Sequence, residues 1–108
     1  MTLNAFPIQA DGRLGAKTVL IDFGQGTGTD GMTTDTAGRI YCAVRKDERH
    51  GIVVFSPEGK ELAYIPTEPL PTNCTFGKGA DSKTLYVTAG TGLYRIRLLA
   101  TGYHPELK

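Results

Sequence analysis

The segment Thr36–Phe55, TAGRIYCAVRKDERHGIVVF, decides how the whole chain is read. A Thr-Ala-Gly-Arg turn leads into the apolar run Ile40-Tyr41-Cys42-Ala43-Val44; a charged loop follows, and then a second apolar run, Gly51-Ile52-Val53-Val54-Phe55. Short runs rich in β-branched and aromatic residues, bounded by Gly and polar residues, are strand signals and are too brief for core helices. The arrangement returns downstream. Leu85-Tyr86-Val87-Thr88 lines up with Ile40-Tyr41-Cys42-Ala43, and Gly92-Leu93-Tyr94-Arg95-Ile96 with Gly51-Ile52-Val53-Val54-Phe55, while Ala80-Asp81-Ser82-Lys83 takes the place of the first turn. Upstream, Ala5-Phe6 followed by Asp11-Gly12 matches Val54-Phe55 followed by Glu58-Gly59. The repeat is about 40 to 45 residues long, which is the length of one four-stranded propeller blade.

Working outward, the same signals predict strands at Leu3–Gln9, Lys17–Asp22, Gly31–Asp35, Ile40–Val44, Gly51–Ser56, Lys60–Pro66, Asn73–Gly77, Thr84–Ala89 and Gly92–Leu98. Fourteen Gly and six Pro supply the tight turns such a meander needs. The predicted class is all-β, a β-propeller fragment of about two to two and a half antiparallel blades. Residues 1–28 are read as the end of one blade and a linker, 29–70 as a full blade, 71–100 as a last blade and 101–108 as a tail. A ring needs at least about four blades, so this length cannot close one. An open end exposes strand edges and an apolar face, so the expected partners include the missing N-terminal blades or further copies of the chain.

Composition narrows the function classes. At 40% hydrophobic and 21% charged residues the chain is ordinary for a folded globular protein. The net charge is +1 and the basic residues are dispersed, which excludes a stripe able to track nucleic acid or an anionic membrane. Met1–Ala10 has neither a basic leader region nor a long apolar run, and no segment reads as membrane-spanning; the compartment is left unassigned. Cys42 and Cys74 lack Cys-x-x-Cys or His-x-x-x-His companions and are read as free core thiols.

Thr29-Asp30-Gly31-Met32-Thr33-Thr34-Asp35-Thr36-Ala37-Gly38-Arg39-Ile40-Tyr41 resembles the Pro-Asp-Gly-Met/Leu segment and following strand of the gluconolactonase and regucalcin family, and Pro71-Thr72-Asn73-Cys74-Thr75-Phe76-Gly77 resembles its last-blade motif. The resemblance runs from about Phe6 to Leu98, and the order of the motifs makes it specific. It implies a six-bladed propeller whose channel holds one divalent cation, Ca²⁺ first, with Zn²⁺, Mg²⁺ or Mn²⁺ as alternatives, acting on a sugar lactone. Of the ligands the family uses, a Glu, an Asn and the Asp of Asp-Gly-Met/Leu, only the last is present, as Asp30. Thr29 replaces the usual Pro. The resemblance therefore implies a C-terminal part of a lactone hydrolase, incomplete by itself, with Asp30 as metal ligand and catalytic base. A non-catalytic binding or structural module, or a subunit completing a ring by self-association, is the alternative.

Strand reversal within a blade places Asp30 on the same rim as the loop Arg45–His50 and puts Asn73 at the equivalent station of the next blade. Asn73 reads first as a turn or strand-entry residue, with substrate contact as the alternative; by spacing alone Asp30-Gly31 reads as a turn pair. Arg45-Lys46-Asp47-Glu48-Arg49-His50 reads as a solvated loop of balanced charge. Gly24-Gln25-Gly26-Thr27-Gly28 lacks the spacing of a phosphate loop and reads as a flexible linker. His50 and His104, without nucleophile or ligand partners, read as surface residues. Asp35 and Asp81 are expected to stabilise the turns that follow them.

Overall fold

The computed structural model describes residues 1–26 and 28–105. Among the described residues nine strands form three antiparallel sheets in chain order. The first pairs β1 (Thr2–Ala5) with β2 (Thr18–Asp22). The second has four strands in sequence order, β3 (Thr29–Thr34), β4 (Ile40–Val44), β5 (Gly51–Phe55) and β6 (Glu61–Pro66). The third has β7 (Pro71–Phe76), β8 (Thr84–Ala89) and β9 (Gly92–Arg97). Apart from one 3₁₀ turn at Gly79–Asp81, no helix occurs among the described residues, and none is long and apolar enough to cross a membrane. The meander is a complete four-stranded blade between two partial ones, as the repeat predicts.

The stacking is visible in the side chains of β4. Successive residues of a strand point to opposite faces. Tyr41 and Ala43 accordingly join Ile52 and Val54 against Cys74, Phe76, Leu85 and Val87 of the third sheet. Cys42 and Val44 join Val53 and Phe55 against Leu3, Ile21 and Phe23 of the first. Because both faces of the middle sheet are covered, β4 and β5 read as unbroken apolar runs rather than as an alternation. Each seam carries an edge-to-face aromatic pair: Tyr41 with Phe76, centroids 5.0 Å apart, and Phe23 with Phe55, 6.1 Å apart.

Three boundaries depart from expectation by two residues or more; β7, for one, begins at Pro71 rather than Asn73. β1 stops at Ala5 instead of continuing to Gln9, because Pro7 has no N–H to give the ladder; beyond it only Ile8 bridges, to Leu14. β3 begins at Thr29, ahead of Gly31. In the linker, Gly24 and Gly26 take φ of 81° and 67°, conformations that suit glycine. Thr27 of that linker and residues 106–108 of the tail lie outside the described residues.

Past β9 the chain turns back beneath the two later sheets. The Leu98 N–H donates to Lys83 O and the Gly102 N–H to Ser82 O, while the Thr36 N–H donates to Thr101 O and the Tyr103 N–H to Thr34 O. His104 Nε2 lies 3.0 Å from Gly77 O. The segment thus clasps the floor of the second blade to that of the third. His104 is half-buried in this clasp, a correction to its reading as a surface residue.

Candidate functional site

Asp30 stands in a β-bulge. In the β3–β4 ladder Thr29 opposes Val44 and Met32 opposes Cys42, so Asp30 and Gly31 together face Ala43. Bulges bend a strand and re-aim the extra side chain, and they are frequent beside active sites. Thr29 Oγ1 donates to Ala43 O at 3.2 Å and fixes the bulge from one side. The Asp30 side chain is exposed, and among the described residues nothing donates to its carboxylate. It opens on a cleft of about 410 Å³ lined by Met1, Gly26, Gly28, Thr29, Asp30 and Arg45.

Arg45 reaches this cleft for a topological reason. β4 runs antiparallel to β3, so the residue after Val44 emerges at the end where β3 begins. Its N–H donates to Gly28 O at 3.2 Å, and its Nη1 donates to Pro71 O at 3.1 Å across the seam to β7. The shared rim expected of Asp30 and the 45–50 loop is therefore present at Arg45. The loop is solvated as expected, with residues 45–49 exposed, but Arg49 finds its counter-charge outside it: Arg49 pairs bidentately with Glu61 of β6, at 2.8 and 2.7 Å, and lies 4.3 Å from the centroid of the Tyr64 ring. His50 is half-buried, not a surface residue, and its carbonyl accepts from Tyr64 Oη.

Asn73 sits one residue away from its expected station. In β7 Pro71 opposes Ala89 and Asn73 opposes Thr88, which leaves Thr72 as the bulged residue. Register thus pairs Thr72 with Asp30 and Asn73 with Gly31. The two blades are nonetheless in close contact here: a Cβ on Gly31 would overlap Asn73 Oδ1, so the absence of a side chain at Gly31 admits Asn73. Asn73 Oδ1 accepts the Cys74 N–H at 2.8 Å. Its hollow, about 220 Å³ and lined with Tyr86, Thr88 and Leu93 among others, is distinct from the Asp30 cleft.

A Ca²⁺ or Mg²⁺ site takes six or more hard oxygens, in part from several carboxylates. Asp30 fits one corner of such a shell. The remainder is lacking, since among the described residues no three His, Cys, Asp or Glu side chains converge.

The most developed polar cluster lies at the opposite end of β3 and is structural. The Asp35 carboxylate accepts from the Ala37 and Arg39 N–H groups at 2.9 and 3.0 Å, from Arg39 Nε at 2.6 Å and from Tyr41 Oη at 2.8 Å. Burial alone raises its pKa, but the donors from Arg39, Tyr41 and Ala37 outweigh that and hold it below the ordinary carboxylate value. Burial, then Asp35, pushes the Tyr41 phenol up to about 12. Asp35 thus secures the turn at Gly38 as expected, whereas the Asp81 carboxylate accepts no hydrogen bond among the described residues. Cys42 and Cys74 are the buried free thiols expected, pushed by burial up to about 11 and about 12.

Known proteins resemble this arrangement. Over 91 residues the chain is 36% identical to a 6-deoxy-6-sulfogluconolactonase of Pseudomonas putida, covering 81% of the chain and 30% of that protein. It is 33% identical over 76 residues to a gluconolactonase of Zymomonas mobilis, covering 68% of the chain and 19% of that protein. The X-ray structure of a candidate gluconolactonase superposes with a TM-score of 0.81 at 26% identity, over 96% of this chain and 34% of the other. The chain therefore spans less than a third of the curated relatives it matches. The family model for the SMP-30/Gluconolactonase/LRE-like region matches residues 1–91, and with blades that stack as such a propeller requires, the chain belongs to that family.

Proposed function

We propose that this chain is the part of a sugar-lactone hydrolase that carries the carboxylate Asp30 at the mouth of the catalytic cleft. The observation that carries the reading is Asp30 itself: an exposed carboxylate, without a described donor, re-aimed by a bulge into a cleft of small-molecule size. Structural carboxylates here look different, as Asp35 does with its four donors. The relatives' names give gluconolactones as the substrate type, and a cyclic ester of a sugar acid is the substrate proposed here.

In the reaction, water adds to the ring carbonyl carbon, the bond from that carbon to the ring oxygen breaks, and the ring oxygen takes up a proton to leave the open-chain acid. Asp30 accepts the proton lost by the attacking water or holds a cation beside the carbonyl. A divalent cation, Ca²⁺ first, is proposed with Asp30 as one oxygen ligand and the others supplied by blades outside this chain. When bound, it lowers the pKa of water and polarises the carbonyl. Asp30 alone gives only weak metal affinity, so the chain by itself is proposed to be inactive.

The test is pH-stat hydrolysis of glucono-δ-lactone, corrected for the spontaneous rate, by the chain alone and by the complete propeller that contains it. In the complete propeller Asp30→Asn is expected to lower kcat/KM by about 10²-fold or more, since a general base supplies roughly 10²–10⁴. Full activity in Asp30→Asn, or no turnover by the complete propeller with any divalent cation, would sink the proposal. Fast turnover by the chain alone would refute its inactivity. A second reading, a module that binds sugars without turning them over, is favoured by the fact that among the described residues no three His, Cys, Asp or Glu side chains converge.

A further inference from the structure

Resting on the reading of Asp30 as the reacting end of the cleft, we infer that Arg45 is a specificity residue that recognises an anionic substituent, a carboxylate, sulfonate or phosphate, on the ligand that reaches Asp30.

Arg45 lines the same cleft as Asp30, at residues that the β3–β4 hairpin brings to one end of the blade. It is held there from two directions, by its own N–H on Gly28 O and by Nη1 on Pro71 O. A guanidinium has five N–H donors in a rigid fork. The bond to Pro71 occupies Nη1, and among the described residues no carboxylate lies within ion-pair distance of the others. That sets Arg45 apart from the other arginines of the blade: Arg39 is committed to Asp35, and Arg49 to Glu61. Asp47 and Glu48 border the neighbouring hollow together with Lys46 and Arg45, yet neither closes on Arg45.

A charged fork tied at Nη1 and left without a counter-ion is partly preorganised for an oxyanion, because the bond to Pro71 has already met part of its ordering entropy. The cleft, about 410 Å³, is of a size that accommodates small-molecule ligands, typically about 300–1,000 Å³. A ligand in it has its reacting carbon toward Asp30 and its charged substituent toward Arg45, the basic side chain that lines the cleft.

The experiment compares neutral and anionic partners on the complete protein. Turnover is measured with glucono-δ-lactone, with glucaro-1,4-lactone, which carries a carboxylate, and with 6-phosphoglucono-δ-lactone. Equilibrium binding of sorbitol and of sorbitol 6-phosphate is measured by calorimetry and needs no turnover. Arg45→Gln is expected to lower the anionic-to-neutral ratio of kcat/KM at least tenfold, mostly through KM, and to lower the sorbitol 6-phosphate to sorbitol binding ratio by a similar factor. Arg45→Lys, which keeps the charge but not the fork, is expected to fall between. Which lactone loses most tells carboxylate from phosphate recognition. Equal losses for neutral and charged partners mean that Arg45 only braces Pro71, and unchanged ratios in both assays mean that it touches no anion; either overturns the inference. Arg45-dependent binding of sorbitol 6-phosphate with no lactone turnover would instead sustain the anion site and refute the lactonase reading.

Discussion

Gly31 is the residue on which the inner seam turns. Its φ is not in the left-handed region, so backbone strain is not the reason for glycine; space is, since Asn73 occupies the volume that a methyl group would take. Gly31→Ala is expected to destabilise the chain by about 1–3 kcal/mol, the usual cost of overpacking. Asn73→Gly in the same background should return most of that loss. Urea denaturation of the four members of this double-mutant cycle checks it, and strictly additive penalties would show that the two residues do not meet. Asp30 was singled out through the resemblance of Thr29-Asp30-Gly31-Met32 to the family's motif, since an Asp-Gly pair alone reads as a turn; that it lies in a bulge inside β3 was not legible. The station of Asn73 was misjudged by one residue, since a bulge inserts a residue without leaving a compositional mark. Arg45 was legible only as one member of a charged run. Its separation from Arg49 depends on which partner each side chain reaches, and Glu61 lies on a different strand.

Strands were the most legible elements, because buried runs such as Ile40–Val44 and Gly51–Phe55 are punctuated by turns and have lengths that only a sheet accepts. The error in β1 came from giving hydrophobicity more weight than the missing donor of Pro7. The turn between β3 and β4 shows what propensity alone does not convey: Asp35 is nearly fully buried and gathers four hydrogen bonds, so it behaves as a core polar group. Its folded-state pKa lies below the value of 3.8 it has when unperturbed. The stabilisation it gives is therefore complete above the unfolded pKa and disappears as pH falls through the lower, folded one. Asp35→Asn is expected to cost about 1–3 kcal/mol at neutral pH, through the weakened bonds to Arg39 and Tyr41. Below about pH 4 the gap from the parent chain should narrow, as Asp35 itself protonates. Thermal unfolding of both proteins between pH 2 and pH 7 reads this directly; a gap independent of pH would refute the account.

At the scale of the molecule, the repeat was the informative signal, since period and strand length together leave a stacked-blade architecture and little else. What it could not supply was how the seams are finished. The third sheet ends at β9 with Leu93 70% exposed and Tyr94 and Ile96 partly so, and Leu99 beyond it is 95% exposed. An open edge strand with apolar side chains invites pairing with another chain. The isolated chain is therefore expected to self-associate, its apparent mass in light scattering rising with concentration, and Leu93→Lys with Ile96→Lys should lower that mass; a monomer at all concentrations would contradict this. The clasp formed by Leu98–His104 has a consequence of another kind. Its contacts reach back to Thr34 and Thr36, so a nascent polypeptide carries all four strands of its middle blade, which end at Pro66, well before it carries the residues that latch that blade's floor. Closure of that floor cannot precede synthesis of residues near 100, and truncation before Leu98 is expected to leave the floor of the middle blade more open to proteolysis.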